Sequence, residues 1–176
     1  MNTYIALFRG INVGGKHILP MKDLVQLLEK LGCEQVKTYI QSGNVVFQHK
    51  EQQANTLGTE ISSQILEGHG FEPNVLLLEA ADLQEAVENN PFNTENGKDL
   101  HFYFLASHPE NPDFEKLTAV QLPSEAFTLR HKVFYLYAPD GIGRSKLAAK
   151  VERCMGVPAT ARNWNTVRKL VSMVGQ

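Results

Sequence analysis

The sequence has few of the features that mark secreted or membrane-spanning proteins. It contains only two cysteines, Cys33 and Cys154, and no CxxC motif, so it lacks the cysteine framework of a small secreted domain. A single disulfide between the two stays open, but two reduced thiols are favoured. The early apolar run over residues 4–8 ends at Arg9 and is too short for a signal-peptide core or a membrane span. A cytoplasmic protein with no membrane partner is therefore expected.

Motifs for metal binding and nucleophilic catalysis are also missing. The six histidines form no HxH, HxxxH or HExxH spacing, so no metal site is predicted. There is no GxSxG elbow, and the hydroxyls of Ser42 and Ser145 come without an identifiable base. The cofactor and any catalytic residue are therefore unknown from the sequence, and enzymatic activity is neither indicated nor excluded.

The chain has no large excess of positive or negative charge overall, but its acidic and basic residues are strongly segregated along the sequence. Seventeen Lys and Arg against nineteen Asp and Glu give a net charge of -2, which excludes a uniformly basic surface for non-specific nucleic-acid binding. Residues 50–129 carry three bases against fourteen acids, a net of -11, and residues 130–176 carry nine against two, a net of +7. Either two faces simply differ in charge, or the bases frame a site for an anionic ligand.

The pattern of apolar residues predicts alternating strands and helices. The first half is predicted to contain a strand over 3–9, a helix from Pro20, strands over 36–40 and 44–48 around a turn at Ser42-Gly43, a helix ending near 68–70 and a strand over 74–78. The second half is predicted to contain a helix over 82–89 capped by Asp82, a strand over 101–106, a helix over 113–120, strands over 126–130 and 133–138, a helix over 145–155, a strand over 159–162 and a helix over 165–174.

The order of these elements is βαββαβ twice, which predicts a duplicated ferredoxin-like fold of the α+β class with an extra C-terminal helix. Residues 1–79 form the first predicted repeat, and residues 80–176 hold a linker helix, the second repeat and the C-terminal helix. Several strands, such as 133–137, have apolar side chains at both odd and even positions, so both faces of each sheet should be buried. The two halves are therefore expected to pack as one compact body.

The loop after the first strand is the first candidate binding segment. Residues 10–17, Gly-Ile-Asn-Val-Gly-Gly-Lys-His, match the GxxxxGK pattern of a phosphate-binding loop. A true P-loop is disfavoured, because His17 replaces the required Ser or Thr and Pro20 would fall inside the helix that must follow. Glycine amides beside cations would still suit an anion, whereas the alternative is an irregular surface loop. The candidate contacts in this segment are Arg9, Asn12, Gly14, Gly15 and Lys16.

Two basic segments near the C-terminus are the other candidates. Residues 139–146 enter a predicted helix, and residues 160–166 enter the last helix through a polar cap. Cations at a helix N-terminus oppose the helix dipole, and an anionic ligand would relieve that placement; solvated surface charge is the alternative. Trp164 could stack on a base, but anchoring the last helix is favoured. The candidate contacts are Arg144, Ser145, Lys146, Arg162, Asn163 and Asn165.

Several short motifs together resemble the bacterial domain-of-unknown-function family 1697. The motifs are RGINVGG at 9–15, YIQSGNVVF at 39–47, NPF at 90–92, GRSKL at 143–147 and TARNWNT at 160–166. They span nearly the whole chain in order. The resemblance implies a small cytoplasmic bacterial protein, and it supplies no activity and no catalytic residue.

The sequence therefore predicts a protein that binds a small anionic or phosphorylated ligand through these basic loops, which would converge on one cleft. One alternative is an enzyme acting on a phosphorylated or nucleotide substrate. Another is an RNA-binding protein, because the RNA-recognition motif has the same βαββαβ order. That motif needs exposed aromatic residues on its third strand, and only Phe47 is available there, so nucleic acid is not the favoured partner.

Overall fold

The structure is a computed structural model that describes residues 1–41 and 43–175. Ser42 lies outside the described residues, and so do the part of the predicted turn that it occupies and its candidate hydroxyl. Contacts within the chain group it into two units. The first contains Met1–Glu85 and the end of the C-terminal helix from Leu170 onward, and the second contains Ala86–Lys169.

The first unit is a four-stranded antiparallel sheet with two helices. Its elements are β1 (Asn2–Arg9), α1 (Met21–Lys30), β2 (Glu34–Tyr39), β3 (Asn44–His49), α2 (Ala54–His69) and β4 (Asn74–Glu79). The strand order is β2-β3-β1-β4, so β1 pairs antiparallel with β3 on one side and β4 on the other. Because every neighbour is antiparallel, the end of β1 and the starts of β3 and β4 meet at one edge of the sheet.

The helices of the first unit cover one face of this sheet. Leu24 and Leu28 of α1 and Ile61 of α2 pack with Tyr4 and Phe47 of the central strands in one buried apolar cluster. The spacing of three or four residues places the apolar side chains of each helix on one stripe. α2 ends at Gly70, whose left-handed backbone lets its N–H reach the Leu66 carbonyl. The predicted elements of residues 1–79 are therefore present, with most boundaries shifted by one or two residues.

The second unit repeats the arrangement after a connecting helix, α3 (Ala80–Glu88). Its elements are β5 (Leu100–Leu105), α4 (Phe114–Val120), β6 (Ala126–Arg130), β7 (Val133–Tyr137), two 3₁₀ turns (Ile142–Arg144 and Ala148–Lys150), α5 (Val151–Met155), β8 (Ala159–Asn163) and α6 (Trp164–Val174). The strand order β6-β7-β5-β8 is the order of the first sheet. The predicted fold class, a duplicated ferredoxin-like α+β arrangement with a C-terminal helix, is confirmed.

Apolar side chains are buried on both faces of the second sheet. Tyr103 and Phe134 pack with the helical segments α4 and α5 in one cluster. Phe102 and Tyr135 lie on the opposite face and are both fully buried. Their rings meet edge to face, with the ring centroids 4.8 Å apart. The Tyr135 hydroxyl is satisfied by donating to the Ala86 carbonyl at 2.6 Å. The prediction of two buried faces, made because these strands have apolar residues at both odd and even positions, is therefore correct for this sheet.

The single helix predicted over 145–155 is wrong. Ser145 has an extended backbone and separates two 3₁₀ turns, so that regular helix begins only at Val151. Its hydroxyl accepts the Ala148 N–H at 3.0 Å and so caps the second 3₁₀ turn. The role predicted for Asp82 also changes, because α3 begins at Ala80 and the Asp82 carboxylate accepts the Glu79 N–H from within the first turn.

None of the helices in residues 1–41 and 43–175 has the length and apolar character needed to cross a membrane.

Gly43 at the start of β3 is expected to tolerate no side chain. It has φ +88°, and an added Cβ would lie 2.6 Å from Phe8 Cβ and 2.8 Å from Ile11 Cδ1. Gly43→Ala should therefore lower the free energy of unfolding by about 2–4 kcal/mol, from backbone strain plus overpacking. Gly70→Ala is the control, because its φ is +79° but nothing lies within 4 Å of the added Cβ. Urea unfolding of both variants tests this, and equal losses would contradict the steric explanation.

Candidate functional site

The candidate site lies at the edge of the first sheet where β1 ends. Arg9 at the end of β1 pairs with Asn74 at the start of β4, and Leu7 pairs with Asn44 at the start of β3. The loops that leave or enter these strands are therefore neighbours. We call residues 10–20, 40–41 and 70–73 the loop edge.

A small hairpin forms the centre of the loop edge. The Asn12 N–H donates to the His17 carbonyl at 3.0 Å, and the Lys16 N–H donates to the Val13 carbonyl at 3.0 Å. Its two tip residues, Gly14 and Gly15, have φ +59° and +72°, as expected for the central pair of a type I′ turn. No atom lies within 4 Å of where their Cβ atoms would be, so the tip is open to solvent.

The Asn12 side chain holds this hairpin against the neighbouring loop. Its Oδ1 accepts the Leu19 N–H at 2.7 Å, and its Nδ2 donates to the carbonyls of Leu19 and Gln41, each at 2.9 Å. Three of the four hydrogen bonds that a carboxamide can form are therefore made inside the protein. Asn12, predicted as a ligand contact, is a positioning residue for the loop edge.

His17 is a second anchor that sequence reasoning treated only as a mismatch to a P-loop. Its Nδ1 lies 2.9 Å from the Gly10 carbonyl, and its ring stacks on Phe71 at 4.7 Å with an interplanar angle of 11°. Because a carbonyl oxygen only accepts, Nδ1 carries the proton, and Nε2 is left as the acceptor of the neutral ring. The partner Phe71 is 54 residues away in the chain, so no local pattern could have indicated this stack.

Backbone strain is concentrated at the loop edge. Five non-glycine residues have positive φ in the described part of the chain, and three of them, Asn12, His17 and Ile40, lie here with φ between 50° and 53°. Left-handed backbone is especially unfavourable for a β-branched residue such as Ile40. Its side chain is also 51% exposed, so little packing compensates for the strain. Such outliers are typical of segments whose conformation serves a function.

The structure presents the predicted cations of this segment to solvent. Arg9 and Lys16 are both exposed, one before the hairpin and one within it. Together with the open glycine tip, they form a surface of positive charge and backbone amides. The four predicted contacts Arg9, Gly14, Gly15 and Lys16 therefore lie at the same edge of the first sheet.

Three of the predicted contacts in the second unit have structural partners. Ser145 is buried and caps a 3₁₀ turn through the Ala148 N–H. The Asn163 Oδ1 accepts the Thr166 N–H at 3.0 Å, which is the usual N-cap bond of α6. The Asn165 side chain lies against Gly97 so closely that no Cβ would fit there. These polar side chains support loops and a helix end.

The cations of the second unit are arranged differently from the prediction. Arg144 and Lys146 are exposed, but the helical segment that follows them has only five regular residues, so the argument from a helix dipole is wrong. Arg162 is half-buried and lies opposite Phe102 in the antiparallel register of β5 and β8. Burial lowers the pKa of its guanidinium to about 10. Trp164 lies 5.8 Å from the Phe102 ring, which favours the anchoring role.

The two groups of cations occupy different loops of their repeats. Arg9 and Lys16 follow the first strand of the first repeat, whereas Arg144 and Lys146 follow the third strand of the second. Within an antiparallel ferredoxin-like sheet these loops leave opposite edges. The two groups are therefore not copies of one duplicated site, and their convergence on one cleft stays a prediction.

Two buried polar groups in the second unit were not singled out from the sequence. His101 is 8% exposed, and its Nδ1 has no partner among the described residues. Burial lowers its pKa, with the backbone and carboxylate of Asp99 acting in the opposite direction. Burial, with a smaller effect of Glu125, raises the pKa of Tyr103 to about 12. Across the described chain, no cluster of three or more His, Cys, Asp or Glu side chains could hold a metal ion.

The aromatic residue on which the RNA alternative depended is not available to a base. Phe47 is fully buried in the cluster between the first sheet and its helices. An RNA-recognition motif presents its third-strand aromatic residues on the open face of the sheet. The structure therefore adds no support for RNA binding by that mode.

Ile40→Asn is expected to raise the free energy of unfolding by about 1 kcal/mol, because asparagine adopts left-handed backbone more readily than isoleucine. Ile18→Asn is the matched control, since Ile18 is also exposed and has no positive φ. That control should change stability by less than about 0.5 kcal/mol. Urea unfolding measures both, and a gain in the control as large as in Ile40→Asn would contradict the strain.

The free energy of unfolding should decrease at acidic pH because His101 is buried. Its pKa in the folded state is lowered from 6.5, so the unfolded chain takes up the proton first as pH falls. The free energy of unfolding should then decline below pH 6.5, by at most about 1.4 kcal/mol per pH unit for one site. His101→Leu should reduce this slope, and exposed His108→Gln should not. Equal slopes in all three proteins would rule out His101 as the source.

Comparison with known proteins agrees with this architecture. Residues 1–135 match DUF1697, a family described as proteins of unknown function. A solved structure of the conserved bacterial protein SP0830 from Streptococcus pneumoniae is similar at 27% identity, with a TM-score of 0.72 over 98% of both chains. No curated protein matches the chain. The family match includes the whole first unit up to Glu85 and the loop edge, and the chain belongs to the DUF1697 family.

Proposed function

We propose that this protein binds a small anionic or phosphorylated ligand at the loop edge of its first unit. The ligand's anionic group lies at the hairpin tip, between the Gly14 and Gly15 amides and the Lys16 ammonium, with Arg9 adding positive charge. Backbone amides of a glycine turn form a concave donor set for anions. The Lys16 N–H closes the turn by donating to the Val13 carbonyl, whereas the N–H groups of Gly14 and Gly15 donate to no backbone carbonyl of the described residues.

The observation that carries this proposal is the strain held in an exposed loop. Asn12, His17 and Ile40 all have positive φ, and the first two are held by side-chain contacts to other loops. A connection that only joined β1 to α1 would need neither the strain nor the clamp. A loop held in its binding conformation loses less conformational entropy when a ligand arrives.

A catalytic form of this function is supported by one contact. The bond from His17 to the Gly10 carbonyl fixes the ring tautomer, leaving Nε2 as a proton acceptor in the same loop as the proposed anion position. An enzyme acting on a phosphorylated or nucleotide substrate would use that atom as its general base. Product formation in the binding screen, lost in His17→Phe, would distinguish catalysis from binding alone.

A ligand screen with a charge variant tests the proposal. The screen contains pyrophosphate, sugar phosphates, nucleotides and a short RNA. Binding is detected by thermal shift and measured by calorimetry. A ligand present at 100 times its Kd should stabilise the protein by about 2.7 kcal/mol. Lys16→Ala should weaken its binding about tenfold or more, the loss expected for one charge-assisted hydrogen bond, with the thermal midpoint of the free protein unchanged.

Lys50→Ala is the matched control. Lys50 is also an exposed lysine of the first unit, but it follows β3 at the opposite edge of the sheet. An equal loss of affinity in both variants would mean that the ligand responds only to net charge. Absence of any ligand in the screen would contradict the proposed function itself. Arg144→Ala combined with Lys146→Ala tests separately whether the basic loop of the second unit contributes.

A further inference from the structure

Exposed apolar side chains are concentrated at the loop edge. In the described part of the chain, six large apolar residues are exposed: Met1, Val13, Ile18, Ile40, Leu66 and Phe114. Three of these, Val13, Ile18 and Ile40, belong to the loop edge and are exposed by 65%, 55% and 51%. Single exposed apolar residues are common on proteins, whereas a group of them marks an interaction site.

The hairpin places one of these side chains, Val13, beside the proposed anion position. Val13 and Lys16 are bridge partners in the hairpin, so their side chains leave the same face. Directly opposed residues in such a pair have Cβ atoms about 5 Å apart. A group bound at the Lys16 ammonium therefore has Val13 as its apolar neighbour.

The Asn12 carboxamide brings the other two residues into the same region. It bonds the backbone of Leu19, the residue after Ile18, and the carbonyl of Gln41, the residue after Ile40. Ile18 and Ile40 therefore each precede a residue whose backbone bonds to the Asn12 side chain, although they are 22 positions apart in the sequence. Because Ile40 also has a left-handed backbone, a β-branched apolar side chain stands at a position where this residue type is unfavourable.

We infer that the ligand of the loop edge is amphiphilic, an organic phosphate whose anionic group binds at Lys16 and whose apolar substituent covers Val13, Ile18 and Ile40. This inference rests on the proposed function and adds the class of ligand. The cations attract the phosphate, and the adjacent apolar surface stabilises the substituent by removing it from water. The shared chemistry is a phosphate monoester with an apolar group, which an alkyl or prenyl phosphate supplies with a chain and a nucleotide with its base.

A homologous series of phosphates provides the test. Calorimetry compares inorganic phosphate with methyl, butyl and octyl phosphate, and with phenyl phosphate and AMP as aromatic members. Each methylene that becomes buried should raise the affinity by up to about fourfold. In Val13→Thr and Ile18→Thr, which keep β-branched side chains, the gain along the series should shrink while the affinity for inorganic phosphate stays unchanged. Leu66→Gln, an exposed apolar residue on α2, should leave the whole series unchanged.

The possible results separate the two proposals. A gain in affinity restricted to the alkyl phosphates indicates that the substituent is an alkyl chain, and a gain restricted to phenyl phosphate and AMP indicates an aromatic base. Either result supports an amphiphilic ligand. Equal affinity for every phosphate overturns this inference but leaves the anion site in place. Binding of no phosphate contradicts the proposed function. If Val13→Thr changes the sedimentation of the free protein and leaves phosphate binding unaltered, the apolar group is a contact between copies of the chain, and the inference is overturned.

Discussion

The three hydrogen bonds of the Asn12 carboxamide are the interaction on which the geometry of the candidate site depends. Two of them, to the N–H and the carbonyl of Leu19, hold the loop after β1 together, and the third connects it to the Gln41 carbonyl in the loop between β2 and β3. With its polar groups satisfied, this side chain stabilises a hairpin that has few apolar contacts of its own. These bonds fix the base of the hairpin that carries the glycine tip, Val13 and Lys16, and they hold it against the connection that carries Ile40. The strain at Asn12 itself is tolerated because three bonds offset it.

The sheets that carry these loops meet a second constraint, which is that both faces of their central strands are buried. In β1, residues 4–8 are all buried, and all six residues of β5 are buried. A strand of this kind belongs at the centre of its sheet, where both observed sheets place it. The edge strands β2 and β6 are half-buried over most of their length. A rigid central strand gives the loop that follows it a firm base, which a precise binding loop needs.

Most of the fold was predictable because its signals are local. α1 has its apolar side chains at helical spacing, α2 ends at a left-handed Gly70, and the helix predicted over 113–120 begins at Asp113, whose side chain accepts the Lys116 N–H. Prediction failed over 145–155, where apolar spacing suggested one helix. There the Ser145 hydroxyl caps a 3₁₀ turn at the Ala148 N–H, and regular α-helix begins only at Val151, a distinction that a pattern of apolar residues does not represent.

The sequence by itself determined the element order, the buried positions, and the presence of glycines and cations in the loop after β1, because these depend on residue type and short-range spacing. Only the tertiary structure decided which contacts those residues make. Asn12 and His17 were ambiguous in the sequence, and their roles come from Gln41 and Phe71, which are close in space and distant along the chain. Likewise, Ile40 became part of the site because antiparallel pairing brings the β2–β3 connection beside the end of β1. Chain reversal at one sheet edge creates such contacts, and no local pattern records them.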